Sequence, residues 1–267
     1  MTKIDDALDA KIRSFTGLTR KTDIVDDDVF IIGHPKSGHT WFQNLVAGVI
    51  YGVDLEYTPY AVVWDLVPEH NWPYFKRYST PMFFKTHDLP KPKYRRVVYM
   101  LRDGRDVMVS YYHYCKTMRK LEDKKTDFLK IVQGQQGIYP YKKWHEHVET
   151  WLANPYQAQM LVIKYEDLLQ NTVEQLQRFC EFMHVTREPA FLAEVAAKAS
   201  FHKMREKEKQ HGLEKPDWQR PDWPNWPKEK RFMRRGEIGS YKDEMPAAVL
   251  EAFMQDARET LRKLGYL

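Results

Sequence analysis

The stretch Val29–Ile50, VFIIGHPKSGHTWFQNLVAGVI, decides the fold. It opens with four consecutive apolar residues, Val29 to Ile32, a run typical of a strand buried on both faces of a parallel sheet. Gly33 ends this strand, and apolar residues then recur at helical spacing from Trp41 onward. The stretch therefore predicts a strand, a tight loop and a helix, an arrangement that directs backbone N–H groups and a helix N-terminus at an anion.

The loop between this strand and helix is close to a Walker A loop, G-x-x-x-x-G-K-[ST], with its lysine displaced. Gly33, Gly38 and Thr40 keep the frame of that pattern. His39 occupies the lysine position, and Lys36 lies inside the loop instead. The displacement argues against ordinary triphosphate chemistry but still favours an anionic nucleotide group. On this stretch alone, a strand–turn–helix corner with an exposed lysine stays open as the alternative.

The composition is that of a globular protein, with 43% hydrophobic and 30% charged residues in a chain of 267. A net charge of +5 is a mild excess that suits a small anionic ligand and does not indicate nucleic acid. Cys115 and Cys180 form neither a metal-ligand spacing nor a disulfide framework, which favours a reducing compartment. The acidic N-terminus lacks a signal-like apolar core, and no apolar run is long enough to cross a bilayer, so we expect a cytoplasmic protein without membrane contact.

Three further strands are predicted at 82–87, 94–101 and 159–165, separated by helical patterns. Strands that alternate with helices predict an α/β fold, in which a mostly parallel central sheet is flanked by helices. We expect a single domain over 1–267, with 1–28 as an N-terminal extension. Ligands of such sheets bind beyond the carboxyl ends of the strands. The residues at those ends are Lys36, His87, Arg102 and Tyr165.

Two sets of candidate anion-binding groups follow the predicted strands at 29–32 and 94–101. Lys36 and the loop amides form one set, and Arg102 with Ser110 in the next helix forms another. For Arg102 taken alone, a surface ion pair with Asp103 or Asp106 is an equally good interpretation. A ligand with two separated anionic groups would explain both sets together.

A third basic group, Arg234-Arg235-Gly236, lies in a glycine-punctuated loop near the end of the chain, where a solvated basic turn is the alternative. His87 ends a strand near the expected position of the Lys36 loop. A neutral imidazole there could take a proton from a hydroxyl, although a structural, hydrogen-bonded histidine is as good an interpretation. No histidine, cysteine or carboxylate pattern has metal-ligand spacing, so we expect no metal.

Three motifs in the right order resemble those of cytosolic-type sulfotransferases. PKSGHTW at 35–41 resembles the phosphosulfate loop of that family, YPKSGTTW. LRDGRDVMVSYYHY at 101–114 resembles its 3′-phosphate segment, and FMRRGEIGSYK at 232–242 its RKGxxGDWK signature. Residues 85–87 and 164–168 resemble the family's K-x-H and YEDL elements. The resemblance extends from about residue 29 to the last helix.

The resemblance implies a donor, 3′-phosphoadenosine 5′-phosphosulfate (PAPS), a bisphosphate product (PAP), no metal, and a hydroxyl or amine of a small-molecule acceptor. It implies that His87 is the catalytic base, that Lys85 lies beside the acceptor, and that Lys36 stabilises the leaving phosphate. The phosphosulfate end would be held by Lys36, Ser37, Gly38, His39, Thr40 and Trp41, with Trp41 also against the adenine. The 3′-phosphate would be held by Arg102, Ser110, Arg234, Arg235 and Gly236, and the nucleoside by Tyr165, Ser200, Phe201 and Met204.

The sequence departs from the family pattern at several positions. His39 replaces a threonine, Asp88 is inserted after the histidine of K-x-H, and Ser-Tyr at 240–241 replaces Asp-Trp. The family's dimer motif, KxxxTVxxxE, keeps only its ends at 242–251, so we expect a monomer or a weak homodimer.

Two other functions stay open. A P-loop-type nucleoside or small-molecule kinase would use the same loop but needs magnesium and a triphosphate, and a non-catalytic nucleotide-binding protein would form no sulfated product. The acceptor is indicated only by aromatic residues. The Tyr-, Trp- and Pro-rich segment 57–81 predicts pocket walls rather than regular elements, and Trp218, Trp223 and Trp226 lie in a loop. They are either the walls and lid of an apolar or aromatic acceptor site, or ordinary packing residues.

Overall fold

The structure, a computed structural model, describes residues 14, 16–119, 124–137, 143–213, 226–227 and 230–267. Most of the expected N-terminal extension therefore lies outside the described residues, and so do Trp218 and Trp223 of the tryptophan loop. Within the described part of the chain, no helix is both long and apolar enough to span a membrane.

The strands are β1 (Leu18–Arg20), β2 (Val29–Ile32), β3 (Tyr74–Lys76), β4 (Phe83–Thr86), β5 (Arg96–Leu101) and β6 (Gln159–Lys164). The centre of the fold is a parallel sheet with the strand order β4-β2-β5-β6. Strand β2 pairs with β4 on one side, where Val29 is opposite Phe83, and with β5 on the other, where Val29 is opposite Arg96. A separate antiparallel pair, which sequence reasoning missed, joins β1 and β3.

Helices cover both faces of this sheet. They are α1 (His39–Tyr51), α2 (Tyr60–Leu66), α3 (Gly104–Arg119), α4 (Lys124–Val132), α5 (Trp144–Leu152), α6 (Tyr165–Gln170), α7 (Thr172–Met183), α8 (Pro189–Lys198), α9 (Phe201–His211), α10 (Tyr241–Glu244) and α11 (Ala247–Lys263).

Each face of the sheet has its own apolar cluster. Phe30 and Ile32 of β2 pack with α3, α4, α5 and α11, while Val29 and Ile31 pack with α1, α2, α6, α7 and α8. All four side chains are fully buried, which explains the unbroken apolar run. The α/β expectation is confirmed.

The loop between β2 and α1 has the predicted conformation. Gly33 lies so close to β5 that a Cβ there would be 2.3 Å from the carbonyl oxygen of Met100. Gly38 has a φ of 101°, and a Cβ there would be 2.8 Å from Cδ2 of Tyr165. No side chain caps the N-terminus of α1. Its first amides are therefore left for an anion.

The aromatic segment 57–81 is more regular than expected. It contains α2 and β3. The helix forms because Tyr60, Val63 and Val67 recur at helical spacing and are buried. Its prolines lie outside those two elements, so they do not interrupt them. The expectation of irregular walls was therefore wrong for two elements, although Trp64 and Trp72 do line a cavity.

Candidate active site

The carboxyl ends of the main sheet and the start of α1 surround a cavity of about 210 Å³. It brings together nearly all of the sequence-predicted site residues from six separate segments of the chain. Two are exceptions. Ser37 is buried within its loop, and Ser200 lies just before α9, so neither belongs to the cavity wall. The predicted residues in the wall are Lys36, Gly38, His39, Thr40, Trp41, Lys85, His87, Arg102, Ser110, Tyr165, Phe201, Met204, Arg234, Arg235 and Gly236.

Lys36 is enclosed by aromatic rings rather than exposed. The alternative interpretation, a strand–turn–helix corner with an exposed lysine, was therefore wrong. Its Nζ lies 3.8 Å from the ring centroid of Phe232 and 4.8 Å from that of Tyr114. Burial of the ammonium, together with the neighbouring charges of Lys85 and Arg102, lowers the pKa of Lys36 to about 7. Lys36 therefore lies among like charges and has no carboxylate ion-pair partner in the described part of the chain, a condition that favours an anionic ligand.

His87 is oriented by the end of β2. Its Nδ1 lies 2.8 Å from the carbonyl oxygen of Gly33. A carbonyl can only accept, so Nδ1 carries the proton and Nε2 keeps the lone pair. Burial lowers the pKa of His87 to about 3, and Lys85 contributes to the decrease. The imidazole is therefore neutral and able to accept a proton at Nε2.

His147, which sequence reasoning missed, supports His87 from α5. Its Nε2 lies 3.2 Å from the carbonyl oxygen of His87, and its Nδ1 lies 2.9 Å from the hydroxyl of Tyr99. Nε2–H therefore donates to the carbonyl, and the Tyr99 hydroxyl donates to Nδ1. No local motif around His147 signals this role, because the contact joins residues 60 positions apart.

Lys85 has an acidic partner that the sequence did not reveal. Its Nζ lies 2.8 Å from Oε1 of Glu69, and the two residues also form an isolated parallel bridge. Both line the cavity on the side of His87, together with Asn71 and Trp72. This end of the cavity therefore combines a base, an ion pair and an indole.

Arg102 does not form the surface ion pair that was one of its two interpretations. Asp103 pairs with Arg105 at 2.7 Å, and Asp106 accepts the backbone N–H groups of Gly239 and Tyr241. The Arg102 guanidinium instead donates to the carbonyl oxygens of Lys36 and Glu237, at 3.3 and 3.1 Å. None of the carboxylates in the described part of the chain lies within ion-pair distance of Arg102, so its charge is available to a ligand.

Arg234 and Arg235 are not a solvated turn either. Nη1 of Arg234 lies 2.7 Å from both carboxylate oxygens of Glu244, and Nη1 of Arg235 lies 3.1 Å from Oε1. His113 on α3 joins the same carboxylate at 2.8 Å. Burial alone would raise the pKa of Glu244, but hydrogen bonds from Arg234 and His113 hold it below its ordinary value. Glu244 therefore ties this basic loop to α3.

A slot of aromatic and apolar groups lies between the two basic ends. The rings of Trp41 and Tyr165 meet edge to face at 5.7 Å, and the Arg102 guanidinium lies 4.2 Å from the centroid of the Tyr165 ring. Gly236 has a φ of 70°, and a Cβ there would be 2.4 Å from the Phe201 ring. Met204 is buried beside these rings. The slot matches a flat, uncharged group that connects two anionic ends.

Several buried polar atoms of the cavity residues have no partner. Among the described residues these atoms include both ring nitrogens of His39, Nε1 of Trp41 and Nε of Arg102. A buried polar atom without a partner costs free energy, so native structures usually satisfy it with protein, water or ligand. These atoms therefore fit a cavity that binds a polar nucleotide. No group of three or more metal-binding side chains is found in the described part of the chain.

The fold and loop define a class: a parallel α/β protein with a P-loop-like anion-binding loop. The chain belongs to the family described as "Sulfotransferase domain", whose model matches residues 26–265. This match favours the sulfotransferase interpretation over the kinase alternative.

Known relatives of this chain are sulfotransferases. Sulfotransferase 2B1 of Homo sapiens is 28% identical over 254 residues, which cover 90% of this chain and 67% of that protein. The 3-beta-hydroxysteroid sulfotransferase of Cavia porcellus is 26% identical over 242 residues, covering 86% and 82%. A crystal structure of retinol dehydratase in complex with androsterone and the inactive cofactor PAP has a TM-score of 0.68 at 18% identity, covering 91% of this chain and 82% of that one. This last likeness shows the fold.

Proposed function

We propose that this protein transfers a sulfuryl group from PAPS to a hydroxyl or amine of a small molecule. The observation that carries the proposal is the convergence of Lys36, His87 and Arg102 on one cavity, from the ends of different elements. Each of these residues is individually unremarkable in sequence, but together they provide an anion cradle, a base and a second anion site.

The donor would lie across the cavity with its charged groups at opposite ends. The loop amides and Lys36 hold the phosphosulfate, while Arg102, Ser110 and the 234–236 loop hold the 3′-phosphate. The slot lined by Trp41, Tyr165, Phe201 and Met204 takes the adenine. The unpartnered Nε1 of Trp41 and Nε of Arg102 supply hydrogen-bond donors along this path.

The reaction needs an in-line attack on sulfur and stabilisation of the leaving oxygen. The acceptor oxygen forms a bond to sulfur, the bond from sulfur to the phosphate oxygen breaks, and PAP leaves. The proton of the acceptor hydroxyl goes to Nε2 of His87. Lys36 stabilises the charge that develops on the leaving phosphate. A sulfuryl group carries less charge than a phosphoryl group, so these residues supply the stabilisation without a magnesium clamp.

The pKa values of Lys36 and His87 are consistent with a donor-dependent mechanism. Lys36 at about 7 and His87 at about 3 are both depressed by burial among positive charges. A polyanionic donor adds nearby negative charge, which raises the pKa of both groups. Donor binding thus charges Lys36 and makes His87 a stronger base.

We propose an apolar or aromatic hydroxyl compound as the acceptor. Trp64, Trp72 and Trp226 all line the cavity. Relatives are consistent with this class, since one is named a 3-beta-hydroxysteroid sulfotransferase and a fold neighbour was crystallised with androsterone.

The direct test is incubation of the full chain with PAPS and a pool of hydroxyl- and amine-bearing metabolites, followed by mass spectrometry. We expect products heavier by one sulfuryl group and stoichiometric PAP. Wild-type protein that binds the nucleotide tightly but yields no sulfated product would refute the enzymatic proposal and favour a non-catalytic binding protein.

A further inference from the structure

His39 lies where the anion-binding loop meets the candidate base. It is the first residue of α1, is only 3% exposed, and belongs to the cavity wall. Its ring is nearly perpendicular to that of His87, at 82°, with the centroids 4.5 Å apart. The side chain of His39 therefore lies directly beside the imidazole that is proposed to take the proton from the acceptor hydroxyl.

The imidazole of His39 has unmet hydrogen-bonding capacity. Both of its ring nitrogens are buried and have no partner among the described residues. Burial, together with the neighbouring charges of His87 and Lys85, holds the pKa of His39 well below its ordinary value. The ring is therefore neutral and presents one N–H donor and one acceptor, both unused.

The other buried histidines of this region differ in that respect. Nδ1 of His34 lies 3.1 Å from the carbonyl oxygen of Pro35, and both nitrogens of His147 are bonded. Nδ1 of His87 is bonded to Gly33. The fold thus provides hydrogen-bond partners for the neighbouring histidines. The ring nitrogens of His39, at the cavity wall, have none among the described residues. An unsatisfied buried group in such a position is typical of a binding or catalytic role.

We propose that His39 is a further catalytic residue, whose imidazole N–H hydrogen bonds an oxygen of the transferring sulfuryl group. This inference rests on the proposed function, because that group is the part of PAPS that lies between the Lys36 loop and His87. As the acceptor oxygen bonds to sulfur and the bond to phosphate breaks, the N–H of His39 holds a sulfuryl oxygen so that the attacking oxygen, the sulfur and the leaving phosphate oxygen stay in line. The proton still goes to His87, so His39 remains neutral throughout.

Two nucleotides separate this role from a structural one. PAPS carries the sulfuryl group, and PAP lacks it but keeps the adenosine and both phosphates. We would titrate each into wild-type protein, His39→Phe and His39→Gln without acceptor. Phenylalanine keeps a ring against His87 but has no donor, whereas glutamine keeps an N–H. His39→Phe is expected to leave PAP affinity unchanged and to weaken PAPS affinity about fivefold, the effect of one neutral hydrogen bond. His39→Gln is expected to recover part of that loss.

A rate measurement supplies a second readout. With saturating PAPS and an acceptor, single-turnover transfer by His39→Phe is expected to fall on the order of 10²-fold, the effect of removing one preorganised donor. His70→Phe is the matched control, since it replaces a buried histidine that lies outside both the cavity wall and the β2–α1 loop. It is expected to change thermal stability but not the ratio of PAPS to PAP affinity.

Equal weakening of PAPS and PAP by His39→Phe would overturn the inference, because the side chain would then act on the nucleotide or on the loop. Unchanged affinities and rate would also overturn it. Wild-type protein that binds neither nucleotide would instead refute the proposed function itself, independently of His39.

Discussion

The charge of Lys36 depends on its surroundings. Its pKa of about 7 reflects burial against Tyr114 and Phe232 and the repulsion of nearby cations. An amine is charged below its pKa, so in the free protein Lys36 loses its charge as the pH rises through about 7.

We expect PAP to bind Lys36 in its charged form. PAP affinity is therefore expected to decrease as the pH rises above about 7, and binding at pH 8 is expected to take up a proton. Calorimetry in buffers of different ionisation enthalpy measures that uptake. Lys36→Met, which has no titratable group, is the control. If it shows the same proton uptake as wild type, another residue titrates.

The second prediction concerns the proposed role of His87 as the base. His87→Gln keeps a side chain that can donate to Gly33 but removes the base, so kcat is expected to fall on the order of 10²- to 10⁴-fold. PAP affinity is expected to stay within about twofold, because no phosphate contact is assigned to this ring. Steady-state kinetics and calorimetry on the same preparation give both values. An unchanged kcat would require a different base.

At the scale of elements, the β2–loop–α1 unit could be predicted because its signals are local. The apolar run from Val29 to Ile32 is buried on both faces, and Gly33 and Gly38 occupy positions where a Cβ would clash. The β1–β3 pair could not be predicted in the same way. Each of its strands has three residues, and they are partners only through a contact between distant parts of the chain.

The two ends of α1 allow a matched pair of glycine substitutions. Gly38 and Gly52 both have positive φ values, 101° and 67°, but only Gly38 has a neighbour within reach of an added Cβ, the Tyr165 ring at 2.8 Å. Gly52→Ala is expected to cost about 1 kcal/mol of unfolding free energy and to leave PAP binding intact. Gly38→Ala is expected to abolish PAP binding, because Tyr165 and the loop must move apart.

Urea unfolding and PAP titration of both variants test this prediction. If Gly38→Ala and Gly52→Ala weakened PAP binding equally, the loss would come from backbone strain alone and not from the contact with Tyr165. Unchanged PAP binding by Gly38→Ala would remove the loop from the binding site.

At the scale of the whole molecule, the candidate site is an assembly of residues that lie far apart in sequence. Residue type and spacing predicted that Arg102, Ser110 and the 234–236 loop belong to one site, and they line the same cavity. The partners of these groups could not be identified in that way. Glu244, Glu69 and His147 have no local pattern, since their contacts depend on which distant elements the sheet places side by side.

The same assembly explains why Asp106 does not form the ion pair with Arg102 that the sequence left open. In the fold its carboxylate accepts the backbone N–H groups of Gly239 and Tyr241, so it attaches the basic loop to α3. The partner of such a carboxylate is known only once the tertiary contact is known.

The central claim is that two cationic ends of one cavity hold the two anionic ends of one adenosine nucleotide. Its most direct test is calorimetric titration of wild-type protein and Arg102→Ala with PAP and with adenosine 5′-phosphate. Because a charged hydrogen bond contributes about 1.5–3 kcal/mol, Arg102→Ala is expected to weaken PAP binding at least about tenfold and to leave adenosine 5′-phosphate binding nearly unchanged. Equal losses for both nucleotides, or no loss for either, would contradict the account.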